Sequence, residues 1–195
     1  MGALTTADAE GLATALLAWW ELHGRGGIPW KLLPGGVPPA PGQDLDPYGI
    51  WIAEVMLQQT QLAVALPYWR RWMAAFPTVE ALAAASLDEV RLQWQGLGYY
   101  SRVRRLHEAA QLLVGGPWPR TLQEWMALPG IGRTTAGSIL SSAFNAPLPI
   151  LDGNVKRVLA RLTAHPRPPA RDDASFCAGV RPCWIRCGPG IPTRP

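Results

Sequence analysis

The chain has 195 residues, 48% of them hydrophobic, with 18 Lys and Arg against 14 Asp and Glu for a formal net charge of +4. That length holds one domain or two small ones, and that apolar fraction supplies a real core, which excludes a chain disordered over most of its length. A pI near 9.3 suits a polyanionic partner without demanding one, and no apolar run approaches the length of a membrane span.

Apolar residues recur three or four positions apart almost throughout, with no sustained alternation of period two, so the expected fold class is all-α. Met1 to Glu10 holds two acidic residues and no basic one, and the apolar stretch Leu12 to Trp19 is short and interrupted by Thr14, so no export signal is expected. A first helix is expected from about Ala7 to Leu22, capped by Thr6, with Leu12, Leu16, Trp19 and Trp20 toward one packing side. Gly24 to Pro47 is rich in Gly and Pro and reads as a long loop around the island Ile28-Pro29-Trp30. Helices should follow from about Tyr48 to Gln58 and from Thr60 through Phe76, where Pro67 marks a kink or boundary and Pro77 stops the run. Ser86 with Glu89 and Thr121 with Glu124 match the capping-box pattern, which starts helices at about Leu87 and Leu122. Between them, Tyr100 to Val114 carries Val103, Leu106, Ala110 and Leu113 on one stripe. Arg102, Arg104 and Arg105 fall largely off it, as a solvated face or as a phosphate-facing patch. Two more helices are expected, about Thr134 to Phe144 and Asn154 to Thr163. After His165 no apolar period is recoverable, and seven of the chain's 20 prolines lie in the last thirty residues, so this tail should not pack as a domain. The chain thus divides into an N-terminal helix (1–24), a Pro/Gly-rich loop (25–47), a helical core (48–164) and an irregular tail (165–195).

Three features bear on chemistry. The string Leu128 to Ala136, LPGIGRTTA, turns at Gly130 and Gly132 and then starts a helix whose free N–H groups favour phosphate. Glu54 lies in EVMLQQTQ and Asp152 in PILDGNVKRVL, 98 residues apart. Taken alone, a helical Glu reads as a surface charge and an Asp before Gly153-Asn154-Val155 as a helix cap. Lysine is scarce: only Lys31 and Lys156 accompany sixteen arginines. Cys177, Cys183 and Cys187 all lie in the last nineteen residues, and an odd count argues against a disulfide framework.

The strings PYGIWIAEVMLQQTQ, PTVEAL, GLGYYSRVRRLHEAA, LPGIGRTTAGSIL and PILDGNVKRVLARL stand in the order and spacing of a known family. Over about Ile28 to Ala164 the chain resembles the adenine DNA glycosylases, the MutY-type family of helix-hairpin-helix repair enzymes. The resemblance implies a six-helix, barrel-like domain with a second helical domain that is incomplete here, the 1–24 helix belonging to the latter. It implies removal of adenine mispaired with 8-oxoguanine or guanine from a nucleotide flipped out of duplex DNA. Cleavage of the N-glycosidic bond needs an acid for the purine and an anion for the cationic sugar, roles the resemblance gives to Glu54 and Asp152. Gln59 and Tyr99 would enter the helix stack, although aromatic pairs such as Tyr99-Tyr100 are also ordinary packing. Trp30, beside Lys31, would line the base pocket, and the other tryptophans are assigned to core. Gly130, Gly132, Arg133, Thr134, Asn154 and Lys156 would meet DNA, Lys156 near a helix start.

Related bifunctional glycosylases carry a lysine where this chain has Thr134, and a hydroxyl cannot form an imine, so the expected activity is monofunctional. The family's four-cysteine iron–sulfur motif, C-x6-C-x2-C-x5-C, is not recognisable: the three cysteines here show C-x5-C-x3-C, and no other metal site is expected. The shift after Asp173 into SFCAGVRPCWIRCGPG resembles translation out of frame or a natural truncation. Without late helices to cover it, the first helix should leave Leu16 and Trp19 under-buried and the chain poorly stable. The competing readings are an endonuclease III-like glycosylase with lyase activity and a remnant that binds DNA without turnover. A monomer acting on duplex DNA in a bacterial cytoplasm, at the nucleoid and without a membrane, is the implied setting.

Overall fold

The computed structural model describes residues 6–148, 150–162 and 164. Among them, backbone hydrogen bonding forms nine α-helices, one 3-10 turn and a single isolated β-bridge, Leu33 to Val37. The helices are α1 (Thr6–His23), α2 (Pro47–Met56), α3 (Leu62–Ala75), α4 (Val79–Ala84), α5 (Leu87–Trp94), α6 (Ser101–Leu113), α7 (Leu122–Met126), α8 (Arg133–Phe144) and α9 (Gly153–Leu162). The fold is all-α, as the periodicity predicts. The cysteines and the tail expected from residue 165 onward lie outside the described residues.

The centre is α2. Asp46 caps it by accepting from the Tyr48 N–H at 3.0 Å, and Pro47 sits where a missing N–H costs nothing. Nine of its ten residues are buried, and Glu54 is the exception. A helix apolar on every face needs partners all round, and α3, α6, α8 and the 3-10 turn Pro29–Lys31 provide them. The Tyr48 hydroxyl donates to the Phe76 carbonyl at 2.8 Å, and Trp69 Nε1 donates to the Gly49 carbonyl at 2.8 Å. Both tie α2 to α3. Trp51, Trp72, Trp94 and Trp125 are completely buried around this axis.

Both capping boxes form: Ser86 and Glu89 exchange bonds at the start of α5, and Thr121 and Glu124 do so at α7. The structure refines three readings. Of the two readings of Pro67, a kink or a boundary, the boundary fails, since the residue lies inside α3; the carbonyl it frees belongs to Ala63, an exposed residue that water can satisfy. The segment 24–47 is a loop apart from the turn Pro29–Lys31, and it is seated on the core: Trp30 is buried, the Leu45 N–H donates to the Ala143 carbonyl at 2.8 Å, and Asp44 pairs with Arg120 at 2.7 Å. Periodicity could not show this, because those contacts are made by single residues. Thr78 also caps a short α4 over the PTVEAL string that periodicity did not resolve.

The edges differ from the centre. Neither α1 nor α9 is among the closely packed helices, and α9 buries no residue fully. Leu16 is 60% exposed and Trp19 53% exposed, which matches the under-burial expected of α1 and corrects the assignment of Trp19 to core.

The α7–α8 connection is the hairpin Leu128 to Gly132. Gly130 has φ +79°, and a Cβ there would lie 3.0 Å from the Arg105 Cβ. Gly132, at φ −92°, would meet nothing within 4 Å. Gly130→Ala should therefore lower unfolding free energy by about 1–3 kcal/mol, read by denaturant melts. Gly132→Ala should stay within about 0.5 kcal/mol of the parent, its poorer capping offset by reduced unfolded-state entropy; equal losses at both positions would contradict this account.

Candidate active site

Glu54 is the only charged residue of α2 and lies partly accessible in the last turn of that otherwise buried helix. Burial raises its pKa above the usual glutamate value, and the negative charge of Asp152 pushes the same way. A hydrogen bond with the Ser138 side chain and the cation of Lys31 oppose the shift without cancelling it. Ser138 of α8, Lys31 of the 3-10 turn and Asp152 at the start of α9 are thus each near enough to act on Glu54 of α2. Desolvation in turn lowers the pKa of Lys31, with Glu54 acting against it. The resulting cluster holds two carboxyls in unlike environments, one desolvated on a core helix and one at a helix start.

Asp152 does serve as a cap: its Oδ1 accepts from the Val155 N–H at 2.7 Å, and the Lys156 N–H donates to its carbonyl at 3.0 Å. The capping and site readings of this residue are thus compatible, because the cap fixes the carboxylate where Glu54 feels its charge. Lys156 is half-buried and Asn154 exposed. Ser138 is a residue that sequence reasoning missed. Its signal was position alone, one turn beyond Thr134 on the helix that the hairpin begins.

The start of α8 is open. Gly132 is its N-cap and makes no side-chain capping bond, while Gly132, Arg133 and Thr134 are all exposed. Helical N–H groups without an internal partner, together with the helix dipole, make this end suited to an anion. Trp30 is only 6% exposed, its ring 5.3 Å from that of Trp69, so its body packs in the core from the same turn that carries Lys31. A recess lined by Trp51, Val55, Gln58, Arg105, Pro129 and Gly130 lies behind the hairpin rather than at the carboxyls.

Gln59 and Tyr99 stand on two loops, after α2 and before α6. Both have left-handed backbones, with φ 59° and 49°, a conformation that costs a non-glycine residue roughly 1–2 kcal/mol. Tyr99 is 64% exposed and Gln59 is exposed, so the packing reading fails for this tyrosine. Arg102 corrects the reading of the three arginines. It is neither solvated nor phosphate-facing: its guanidinium donates to the carbonyls of Val55, Met56, Gln58, Leu97 and Gly98. Arg104 does lie on the solvated face, paired with Glu108 at 3.3 Å, and Arg105 is exposed with its stem beneath Gly130.

The residues present do not fit a four-thiolate cluster. The chain has three cysteines, and no group of three or more His, Cys, Asp or Glu among the described residues could hold a metal ion. No helix among them is long and apolar enough to cross a membrane.

Comparison with known proteins identifies the family and the fold. The family model described as HhH-GPD superfamily base excision DNA repair protein matches residues 52–176. A Mus musculus protein named adenine DNA glycosylase is 45% identical over 162 residues, covering 81% of this chain and 31% of the mouse protein. A Buchnera aphidicola protein of the same name is 40% identical over 149 residues, covering 75% of this chain and 39% of its own length. The chain thus spans well under half of these curated relatives. Among solved structures, a thermostable thymine-DNA glycosylase superposes with TM-score 0.70 at 19% identity, over 91% of this chain and 84% of that one. A non-covalent endonuclease III–DNA complex gives 0.69 at 20% identity, over 93% and 85%. These two likenesses speak to the fold. With well over half its length matched, the chain belongs to the HhH-GPD superfamily of base excision DNA repair proteins.

Proposed function

We propose that this chain carries the catalytic core of a monofunctional DNA glycosylase that hydrolyses adenine from 8-oxoguanine:adenine or guanine:adenine mispairs in duplex DNA. The observation that carries the reading is the carboxyl cluster, in which Glu54 is held toward its protonated form beside Asp152. Adenine departs poorly as an anion, so the C1′–N9 bond breaks readily only when the ring takes a proton as the bond opens. Neutral Glu54 donates that proton, and the bonding electrons leave with the base. Asp152 supplies negative charge to the cationic sugar that remains. Water then adds at C1′ and returns its proton to Glu54. The substrate base is supported by the curated relatives' names, adenine DNA glycosylase, and duplex DNA as partner by the family's base excision repair description.

Thr134, Gly132 and Arg133 at the open start of α8 would face a phosphate, with Gly130 turning the hairpin toward it. Asn154 and Lys156 at the start of α9 would meet the strand near the flipped nucleotide. Gln59 and Tyr99 would fill the stack that the base vacates. Trp30 would form a wall of the base pocket. Lyase chemistry finds no amine at Thr134. Lys156, one turn beyond Asp152, is the amine that could give adventitious imine trapping, and efficient nicking of an abasic site would favour the endonuclease III-like alternative.

Two outcomes follow. In single-turnover assays on an 8-oxoguanine:adenine duplex, Glu54→Gln and Asp152→Asn should each slow adenine release by about a thousandfold, with strand breaks appearing only after alkali. Salt-sensitive DNA binding by a folded chain with no base release would establish the inactive remnant instead. The pH profile gives the second. A raised pKa keeps Glu54 protonated to higher pH, so release should be fastest below that pKa and decline as pH rises through it, at a midpoint above the ordinary glutamate value. Lys31→Met removes a charge that lowers this pKa and should move the declining limb to higher pH; a limb that stays in place or moves down would sink the assignment of Glu54 as the titrating acid.

A further inference from the structure

We infer that Arg102 is a positioning residue that fixes the Gln59 and Tyr99 loops at one spacing, so that the two side chains act as a single wedge. The inference rests on the reading that these side chains enter the duplex. Arg102 begins the first turn of α6, yet its guanidinium spans to the C-terminal end of α2. One terminal nitrogen, Nη1, donates to the carbonyls of Val55, Met56 and Gln58, the last immediately before Gln59. The other, Nη2, donates to those of Leu97 and Gly98, immediately before Tyr99. Each arm of the fork thus serves one loop. The guanidinium carbon also lies 5.4 Å from the Tyr99 ring centroid and 5.3 Å from that of Trp94, whose Nε1 donates to the same Gly98 carbonyl at 3.0 Å.

This arrangement exceeds what capping α2 would require. The orphan carbonyls at a helix end are met by one cation or by water, whereas here a planar group with divergent donors bridges two segments far apart in sequence. Both held segments continue into an exposed residue with a left-handed backbone, and such residues persist where their surroundings over-determine them. Lysine carries one compact ammonium and cannot present two fixed arms to both loops.

The test uses the 195-residue chain and a duplex with 2-aminopurine, a fluorescent adenine analogue, opposite 8-oxoguanine; stopped-flow fluorescence reads extrusion of the base. Arg102→Lys should keep the parent's helical circular dichroism and bind undamaged duplex within about twofold, yet slow extrusion about tenfold. Added to Gln59→Ala with Tyr99→Ala, it should slow extrusion no further. A folded Arg102→Lys that extrudes at the parent rate, or that slows the double variant by the same factor as it slows the parent, overturns the inference. Parent-like extrusion by the Gln59→Ala, Tyr99→Ala protein overturns the wedge reading itself, and the inference with it. Native-state amide exchange on the unaltered chain needs no variant to fold: one shared opening rate for residues 58–60 and 97–100 is expected, and independent rates overturn the inference.

Discussion

The structure depends on covering α2. Nine buried residues in a ten-residue helix leave no face for water, so the chain must bring a partner to every side, and each partner brings a piece of the site with it. The packing of α8 on α2 sets Ser138 against Glu54 and projects the hairpin outward at the other end of the same helix. The 3-10 turn that places Trp30 in the core also places Lys31 within reach of that carboxyl. Closure by α6 brings Arg102 to the helix terminus. The site is therefore a by-product of burying one apolar rod, with a single ionisable interruption in it.

That interruption is costly, since a desolvated carboxyl beside a second negative charge opposes folding. The aromatic packing around α2 offsets it. Trp72 sits edge-on to Phe76 and Trp94, with ring centroids 5.2 and 5.6 Å away, while Trp51 meets both Trp118 and Trp125 at 6.4 and 6.3 Å. Such rings contribute large buried areas and roughly 0.5–1.5 kcal/mol per well-placed pair beyond area alone. The same interior leaves the Nε1 groups of Trp51 and Trp125 without partners, so ring packing there outweighs two unmet donors. Strain at Gln59 and Tyr99 draws on the same reserve.

Helices were legible wherever their signal was local. The capping boxes at Ser86 and Thr121 fixed the starts of α5 and α7 because cap and backbone lie three residues apart. The seating of segment 24–47 was not, since Trp30, Asp44 and Leu45 are held by residues remote in sequence and leave no period; α4, though capped locally by Thr78, is only six residues long and too short to show one. Arg102 illustrates the limit. By stripe it belonged with Arg104, and only the return of the α2 terminus to the α6 start distinguishes a buried staple from a solvated charge. Glu54 and Asp152 were identified by their strings; their proximity is a property of the packed chain. Ser138 carried no signal beyond its register with Thr134.

Two helices thus carry a chemical end and an outward end each. On α8, Thr134 at the open start and Ser138 beside Glu54 are four residues apart, about 6 Å of helical rise. On α2, Glu54 precedes Gln59 by five residues, and the intervening turn is the one that Arg102 holds. Because α2 and α8 pack directly on one another, a phosphate seated at the hairpin would be referred to that carboxyl through rigid helix, and a side chain inserted at Gln59 through the end of α2 and the short loop that Arg102 holds. For a reaction that needs an extruded base to arrive at a proton donor in one orientation, that is the economical construction: placement precision comes from the core, and the loops need only be held where the helices end.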